Sequence, residues 1–419
     1  MRAMHADGSK NMKFEKVNMT IQIVIAMILG LLVGILAKER IEGIKLIGDI
    51  FLRLIQMSII LLVMGQIIEA VGNLNPKELG KMGIKVIMIF LVSSILAAFF
   101  GIFMGIILKP GANVNLSSLS NDTIVDVSNM GSIADTILDF FSLNVIKSMA
   151  EGSIAQVIIF AILFGVSLSY VRIEYNNNKL LGIIEEFNKT ILKMISIIMK
   201  IAPIGIFALI ASTIGKAGIG VIIPLSKYLG VYALGTLIYL VVYFIFASIY
   251  CKIDIRKLVK GMAQISLMAL ATTSSAVTLP TEMKDAKEKL GIGERVTKIV
   301  LPLGMTLNSN GSAMHMALTV ITISQIYGVH YSGGQYIYIG ILATLVSLAN
   351  AVVPGAGLVS LAIIVPQMGL PIESIALFAG IEWFVGMLRT ILNVDSDTMT
   401  ALIVAKSENE IDYDVYQKG

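Results

Sequence analysis

The chain has 419 residues, 56% hydrophobic and only 14% charged, with a formal net charge of +4 and a mean hydropathy of +0.85. A soluble globular chain carries nearer a quarter charged residues, so the composition places this one in the membrane class and implies no nucleic-acid partner. The single cysteine, Cys251, excludes an internal disulfide or a thiolate cluster, and His5, His315 and His330 are too scattered to suggest a metal site.

The first nine residues (MRAMHADGS) lack the apolar run and cleavage site of a signal peptide. They read as an extension ahead of a natural start at Met12. A membrane helix needs about 20 apolar residues. Met19–Ala37, 46–71 and 84–108 meet that need. The stretch 110–145 is rich in Asn, Ser and Asp and reads as an exposed loop. A fourth apolar run covers 154–171. A longer, more amphipathic stretch covers 183–214 and carries Pro203 and Gly205, and 228–250 is a clean sixth span.

Basic residues give the orientation. Arg2, Lys10, Lys13 and Lys16 precede the first span, Lys77, Lys81 and Lys85 lie between the second and third, and Lys252, Arg256, Lys257 and Lys260 follow the sixth. The 110–145 loop holds no Lys or Arg. A cytoplasmic N-terminus in a bacterial or archaeal inner membrane satisfies the rule.

The last third changes character. Four apolar segments each carry helix breakers or polar groups near their midpoints. The segment 257–286 holds Thr272, Thr273, Ser274, Ser275 and Pro280, and 296–327 holds Asn308, Ser309, Asn310, Gly311 and Ser312. The segment 336–370 holds Asn350 and Val353-Pro354-Gly355-Ala356-Gly357. The segment 375–404 holds Glu382, Arg389, Asn393, Asp395 and Asp397. Unpaired backbone is tolerated at membrane depth only where it is buried or lines a cavity. The interruptions therefore predict two re-entrant hairpins and a broken helix around an internal site, and the doubled hairpin-then-helix order suggests an inverted repeat.

Arg389 is the most informative residue. An arginine inside a membrane segment costs a few kcal/mol on insertion scales, and its planar fork matches a carboxylate in two hydrogen bonds. The alternative is a structural pair with Glu382, seven residues earlier on the same face, or with Asp395. Asn393 and Asp397, four apart, share a helix face and offer hard oxygen ligands for a small cation, or else a polar contact between helices. Backbone N–H groups at the two hairpin tips, with Ser274 and Ser275 at the first, favour a carboxylate.

At this point the residues resemble a known family, the dicarboxylate/amino acid:cation symporters, or glutamate transporter homologues. The agreement runs in order from the third span to Glu408. It includes 202–211 (APIGIFALIA), the serine-rich first tip ending Thr278-Leu279-Pro280, 301–304 (LPLG), Asn308-Ser309-Asn310-Gly311, 354–357 (PGAG), Arg389-Thr390, Asn393-Val394, Asp397 and 403–406 (IVAK).

The resemblance implies an all-α membrane protein with eight transmembrane helices and two re-entrant helical hairpins. It implies a homotrimer in the lipid bilayer whose transport domain slides like an elevator, with the second hairpin as gate. Residues 1–18 are then an N-terminal segment, and 19–250 mainly scaffold and trimerisation helices, the third span joining the transport domain. Residues 251–406 form the transport core and 407–419 a tail. The resemblance implies that Arg389, with Thr390 and Ser312, holds the substrate's distal carboxylate, and that Asn393 and Ser275 hold the other, with Ser274 at the same substrate-binding tip. Val353 and Gly357 contribute from the second tip. It implies one cation site at Asp397 with oxygens of Gly304, Asn308 and Asn393, and a second at Thr306, Ser347 and Asn350. A third lies near Ser93, Ser94, Asn308 and Asn310.

Two departures shape the expected substrate. Family members that carry acidic amino acids have an aspartate where this chain has Gly386, and relatives often carry arginine where it has Thr273. Both carboxylate-binding ends survive while the amine acceptor is gone, which favours a C4 dicarboxylate. Gly386 also opens space, so an acidic or bulkier amino acid is the competing substrate. The family's Asn-Met-Asp-Gly is Asn308-Ser309-Asn310-Gly311 here, and a nearby tyrosine is Phe90. Removing a charge from a buried ion site weakens it, so fewer coupled cations are expected. Asp397 keeps Na⁺ as the coupling ion, with H⁺ as the alternative, carried on Asp397 or Glu382. An anion channel on the same fold is the rival from another class. A membrane enzyme finds no catalytic motif in the sequence, and the segment after Val404 is too short for a receptor's output domain.

Overall fold

The computed structural model describes residues 19–37, 42–74, 76–112, 138, 141–217, 222–348, 356–379 and 381–418. Its regular secondary structure is helical among these residues; the pairing of Ile292 with Ile411 is an isolated bridge. The first helices are α1 (Met19–Ala37), α2 (Glu42–Gly72) and α3 (Pro76–Leu108). The predicted 110–145 loop lies mostly outside the described residues. It leads to a short helix, α4 (Val145–Glu151), whose first turn is capped by the Asn144 side chain accepting from the backbone of Ile146 and Lys147. Next come α5 (Ile154–Glu174), α6 (Lys179–Met199), α7 (Ala202–Ala217) and α8 (Ile222–Cys251).

The stretch 183–214, which carries Pro203 and Gly205, forms two helices. The axes of α6 and α7 differ by 57°. Pro203 explains the break: it is favourable in the first turn of α7 but cannot continue α6.

Of the predicted interruptions, those at 272–275 and 308–309 are present, the one at 350–357 lies mostly outside the described residues, and the helix carrying Arg389, Asn393, Asp395 and Asp397 runs unbroken, its bend lying before Glu382. The first hairpin is α9 (Ile255–Thr272) followed by α10 (Ser275–Glu288). Thr273 turns the corner in the left-handed region at φ 50°, and the Ser274 hydroxyl accepts from Val277 N to cap α10. Then α11 (Glu294–Leu307) stops at Asn308, which is extended, and α12 (Asn310–Tyr327) restarts two residues later. The second hairpin pairs α13 (Gly333–Leu348) with α14 (Ala356–Gln367); its tip lies outside the described residues. A short helix, α15 (Ile375–Ala379), meets the long α16 (Glu382–Ser407) with a bend of 85°, and α17 (Tyr413–Lys418) ends the chain. Three single helices, at 82–108, 155–174 and 223–251, are long and apolar enough to cross a bilayer, and the two bent pairs raise the number to five among the described residues.

Packing sorts the helices into two groups. One is α1, α2, α5, α6 and α7. The other gathers α3 and α8 to α15 around α16. Contacts between the groups run from α2 to α14, from α5 to α13 and from α7 to α15. Within the second group α3 crosses α12 so closely that side chains at Gly101 and Gly105 would collide with Met314 O (2.7 Å) and Ile321 Cγ2 (2.8 Å). Small residues at such crossings let backbones approach where apolar burial alone drives nothing.

The C-terminal segment is stitched across one end of that group. Gly293 N donates to Glu410 O and Asp412 N to Gly291 O, both at 2.8 Å. Tyr413 donates to Cys251 O at 3.0 Å, and Lys257 Nζ to Gln417 O at 2.6 Å. Lys85 (2.7 Å) and Arg295 (3.3 Å) both reach Glu408. The Lys85 hydrogen bond, more than the Arg295 charge, holds the Glu408 carboxyl below its ordinary range. A depressed carboxyl stabilises the fold above its unfolded value, and that gain is lost as the pH falls through the folded one. Glu408→Gln should therefore lower the melting temperature at pH 7, and the deficit should close as the pH falls below about 4. Equal deficits at pH 7 and pH 3 would show that these ion pairs contribute nothing.

Candidate functional site

The site forms where α16 meets the two hairpins and the α11–α12 break. Glu382 opens α16 and Arg389 follows two turns later. Arg389 Nη1 and Glu382 Oε1 are 3.0 Å apart, with side-chain exposures of 11% and 13%. This is the Glu382 pairing weighed from the sequence. It occupies one edge of the guanidinium, and among the described residues no other Arg389 nitrogen has a hydrogen-bond partner. Gly357, at the start of α14, lies directly on this pair: a Cβ there would overlap both Glu382 Oε1 and Arg389 Nη1. The second hairpin thus touches the charged centre through a residue without a side chain.

The first hairpin approaches from the other side. A Cβ at Gly386 would stand 3.9 Å from Arg389 Nη2 and 4.0 Å from Thr273 Cβ. The two positions where the chain departs from acidic amino acid carriers are therefore neighbours, and Gly386 lies beside Arg389 Nη2. Ser274 and Ser275 sit at the same tip, where the Ser274 hydroxyl is engaged as the helix cap. Thr390 and Ser312 are buried. The Asn393 side chain accepts from Gly311 N at 2.8 Å, and a side chain at Gly311 would strike the Arg389 backbone. The α12 start and the Arg389 turn are thereby locked in register. Val353 and Asn350 lie outside the described residues.

The expected cation ligands fall into distinct arrangements. Asn308 Nδ2 donates to Asp397 Oδ1 at 2.7 Å, and a Cβ at Gly304 would lie 2.6 Å from the same oxygen. Asp397 Oδ2 and Asn308 Oδ1 are buried with no hydrogen-bond partner among the described residues. Orphaned buried oxygens are costly, and a carboxylate with an amide oxygen is the donor set that suits a hard cation. Gly304, Asn308 and Asp397 therefore fit such an ion. Asn310 differs. Its Oδ1 accepts from Ser93 (3.1 Å) and Ser94 (2.8 Å), while its buried Nδ2 has no partner among the described residues. The oxygen is taken and a donor remains, an arrangement that disfavours a cation. Thr306 and Ser347 bond the backbone of their own helices, and no hydrogen bond links them.

Of three further polar groups, Glu282 was not singled out from the sequence, Asp395 was named there as a possible partner of Arg389, and His315 only as no sign of a metal site. Glu282 on α10 is 1% exposed and accepts from Thr398 Oγ1 at 2.8 Å. Asp395 accepts from Ser266 of the first hairpin at 2.8 Å. His315 is buried against Tyr228, whose hydroxyl meets its Nδ1, with Thr319 completing the cluster. A carboxylate two residues beyond Pro280, inside an apolar segment, was the available signal for Glu282.

The sequence profile described as the Sodium:dicarboxylate symporter family matches residues 19–407. The chain is 33% identical over 412 residues to a proton/sodium-glutamate symport protein of Bacillus caldotenax, covering 94% of this chain and 96% of the other. It is 31% identical over 408 residues to a protein of that description from Bacillus subtilis, covering 95% and 94%. It is also 31% identical over 405 residues to a C4-dicarboxylate transport protein of Bacillus subtilis, covering 94% of each. With a match across nearly its whole length and these relatives aligned end to end, the chain belongs to the sodium:dicarboxylate symporter family.

Proposed function

We propose that the protein is a cation-coupled symporter of a small acidic solute, with a C4 dicarboxylate as its preferred substrate. Family membership supports the transport class, and relatives named for glutamate symport and for C4-dicarboxylate transport bracket the substrate. The observation that carries the choice is the surroundings of Arg389. Its Nη1 is held by Glu382, while its Nη2 looks toward Gly386 and Thr273. One substrate carboxylate pairs with the guanidinium, helped by Thr390 and Ser312. Asn393, Ser274, Ser275 and the second tip at Val353 and Gly357 take the other. No carboxylate stands at 386 to accept an ammonium, and this separates a dicarboxylate from an acidic amino acid.

In this reading Na⁺ couples at Asp397, Asn308, Gly304 and Asn393, and a second ion uses Thr306, Ser347 and Asn350. The Ser93, Ser94 and Asn310 group is a neutral polar contact. The chain crosses the inner membrane eight times from a cytoplasmic N-terminus, with two re-entrant hairpins, and assembles as a homotrimer. The helices packed on α16 move as the transport body against α1, α2, α5, α6 and α7. The packing of α8 against α3 and α16 supports including it in that body.

A thermal-shift screen in NaCl and KCl tests the substrate, because a ligand of the native state raises the melting temperature by mass action. Sodium-dependent stabilisation by succinate, malate or fumarate, with none by aspartate, is expected. Stabilisation by an amino acid alone would overturn the dicarboxylate assignment and leave the transporter class standing. Arg389→Ala should weaken succinate binding at least about 30-fold, as removal of one partner from a buried charge pair does; unchanged binding by calorimetry would remove Arg389 from the site. Gly357→Ala forces a methyl into the ion pair and should cost about 1–3 kcal/mol of binding or folding, read from binding isotherms and melting curves. Gly386→Asp fits without a clash and should shift the aspartate-to-succinate uptake ratio toward aspartate; an unmoved ratio would refute the role given to position 386.

A further inference from the structure

Helix α12 starts without a side-chain cap, since the Ser309 side chain makes no cap hydrogen bond. The start is held from outside, at one residue. Gly311 N donates to the Asn393 side chain at 2.8 Å, and Gly311 O accepts from the Tyr232 hydroxyl of α8 at 2.9 Å. Gly311 is thus bonded to α16 through its N–H and to α8 through its carbonyl. It also abuts Arg389, because a Cβ there would strike the Arg389 carbonyl. A shift of Gly311 therefore carries Asn393 and the Arg389 turn with it.

Tyr232 is itself fixed. It is fully buried, its ring stacks on Tyr228 at 6.1 Å and 15°, and it lies 5.8 Å from the His315 ring. Tyr228 meets Phe378 of α15 edge to face at 4.9 Å, and Phe378 stands four residues before Glu382. The tyrosine pair therefore touches both irregular stretches that frame Arg389: the α11–α12 break through Tyr232 and the bend before α16 through Tyr228. The Arg389 charge acts on both tyrosines. A hydroxyl restrained by packing in this way defines where its acceptor sits.

We propose that Tyr232 is a positioning residue of the carboxylate site: its hydroxyl holds the Gly311 peptide so that Asn393 and Arg389 keep the spacing a dicarboxylate needs. It acts through Gly311 and makes no contact with the substrate. This rests on the symporter reading above and extends the site to α8, which supplies none of the ligands assigned there.

The test compares the full-length wild type with Tyr232→Phe, which keeps the ring and removes one hydroxyl. Succinate binding is measured by calorimetry in NaCl, and labelled succinate uptake in proteoliposomes. Kd and KM should rise about tenfold, as expected when a buried carbonyl loses its donor, while uptake at saturating succinate stays within about twofold of wild type. The matched control is Tyr239→Phe, whose hydroxyl donates to Ser93 O at 2.7 Å from the same helix. It removes the same kind of bond away from the carboxylate site and should leave the succinate Kd within about twofold of wild type. An unchanged Kd in Tyr232→Phe, an equal loss in Tyr239→Phe, or a Tyr232→Phe protein that fails to fold would each overturn the proposal, the last two by showing hydroxyls that serve only the packing of α8. Where the wild type is stabilised by another carboxylate in place of succinate, the same comparison is made with that ligand. Stabilisation by none would end the symporter reading and this proposal with it, whereas a binding wild type with an unaffected Tyr232→Phe would end this proposal alone.

Discussion

The structure depends on one constraint: a charge taken out of water must find its counterpart inside the protein. Arg389 and Glu382 meet it by facing each other at 3.0 Å under the close approach of Gly357. Removing either partner would strand the other, so the pair fixes the start of α16 against α14. The rest of the site is arranged around it. Asn393 locks Gly311 one turn further on, and Asp397 holds Asn308 a turn beyond that. One face of one helix carries the arginine–glutamate pair and then the asparagine and aspartate contacts. The second hairpin and the α11–α12 break each contribute backbone or amide groups at the matching depth.

The same constraint explains the departures from acidic amino acid carriers. Gly386 and Thr273 are adjacent in space, so the absence of an anion at one and of a cation at the other leaves local charge balanced. Asn310 satisfies Ser93 and Ser94 with its oxygen and so completes a neutral contact where a carboxylate would call for an ion. Glu282 and Asp395 add carboxylates elsewhere around α16.

Much of this was legible in the sequence because polar interruptions of apolar segments have few permitted explanations in a membrane. Thr272 to Ser275, Asn308 to Gly311 and the Arg389 turn all fell where helices break or charges are buried. The bend between Met199 and Ala202 was not read, because apolar residues continue through it and Pro203 is as compatible with a helix start as with a kink. Pairings across long separations were also beyond reach. Nothing local in the sequence ties Thr398 to Glu282, 116 residues earlier, or Asn308 to Asp397, 89 residues later. Periodicity reports which face of a helix is buried, and only the packing of helices decides which buried group meets which.

The stitching of the C-terminal segment has a consequence for biogenesis. Tyr413 closes on Cys251 and Lys257 on Gln417, so residues made later secure ones made about 160 positions earlier. Until that tail emerges, the first hairpin and the start of α11 lack their final fastening, and the charged half of α16 has only just been delivered to its partners. Synthesis order therefore obliges the core to wait, partly assembled, for this later segment. A nascent chain that stalls before Glu408 leaves membrane quality control a product with buried charges in place and its closing contacts missing.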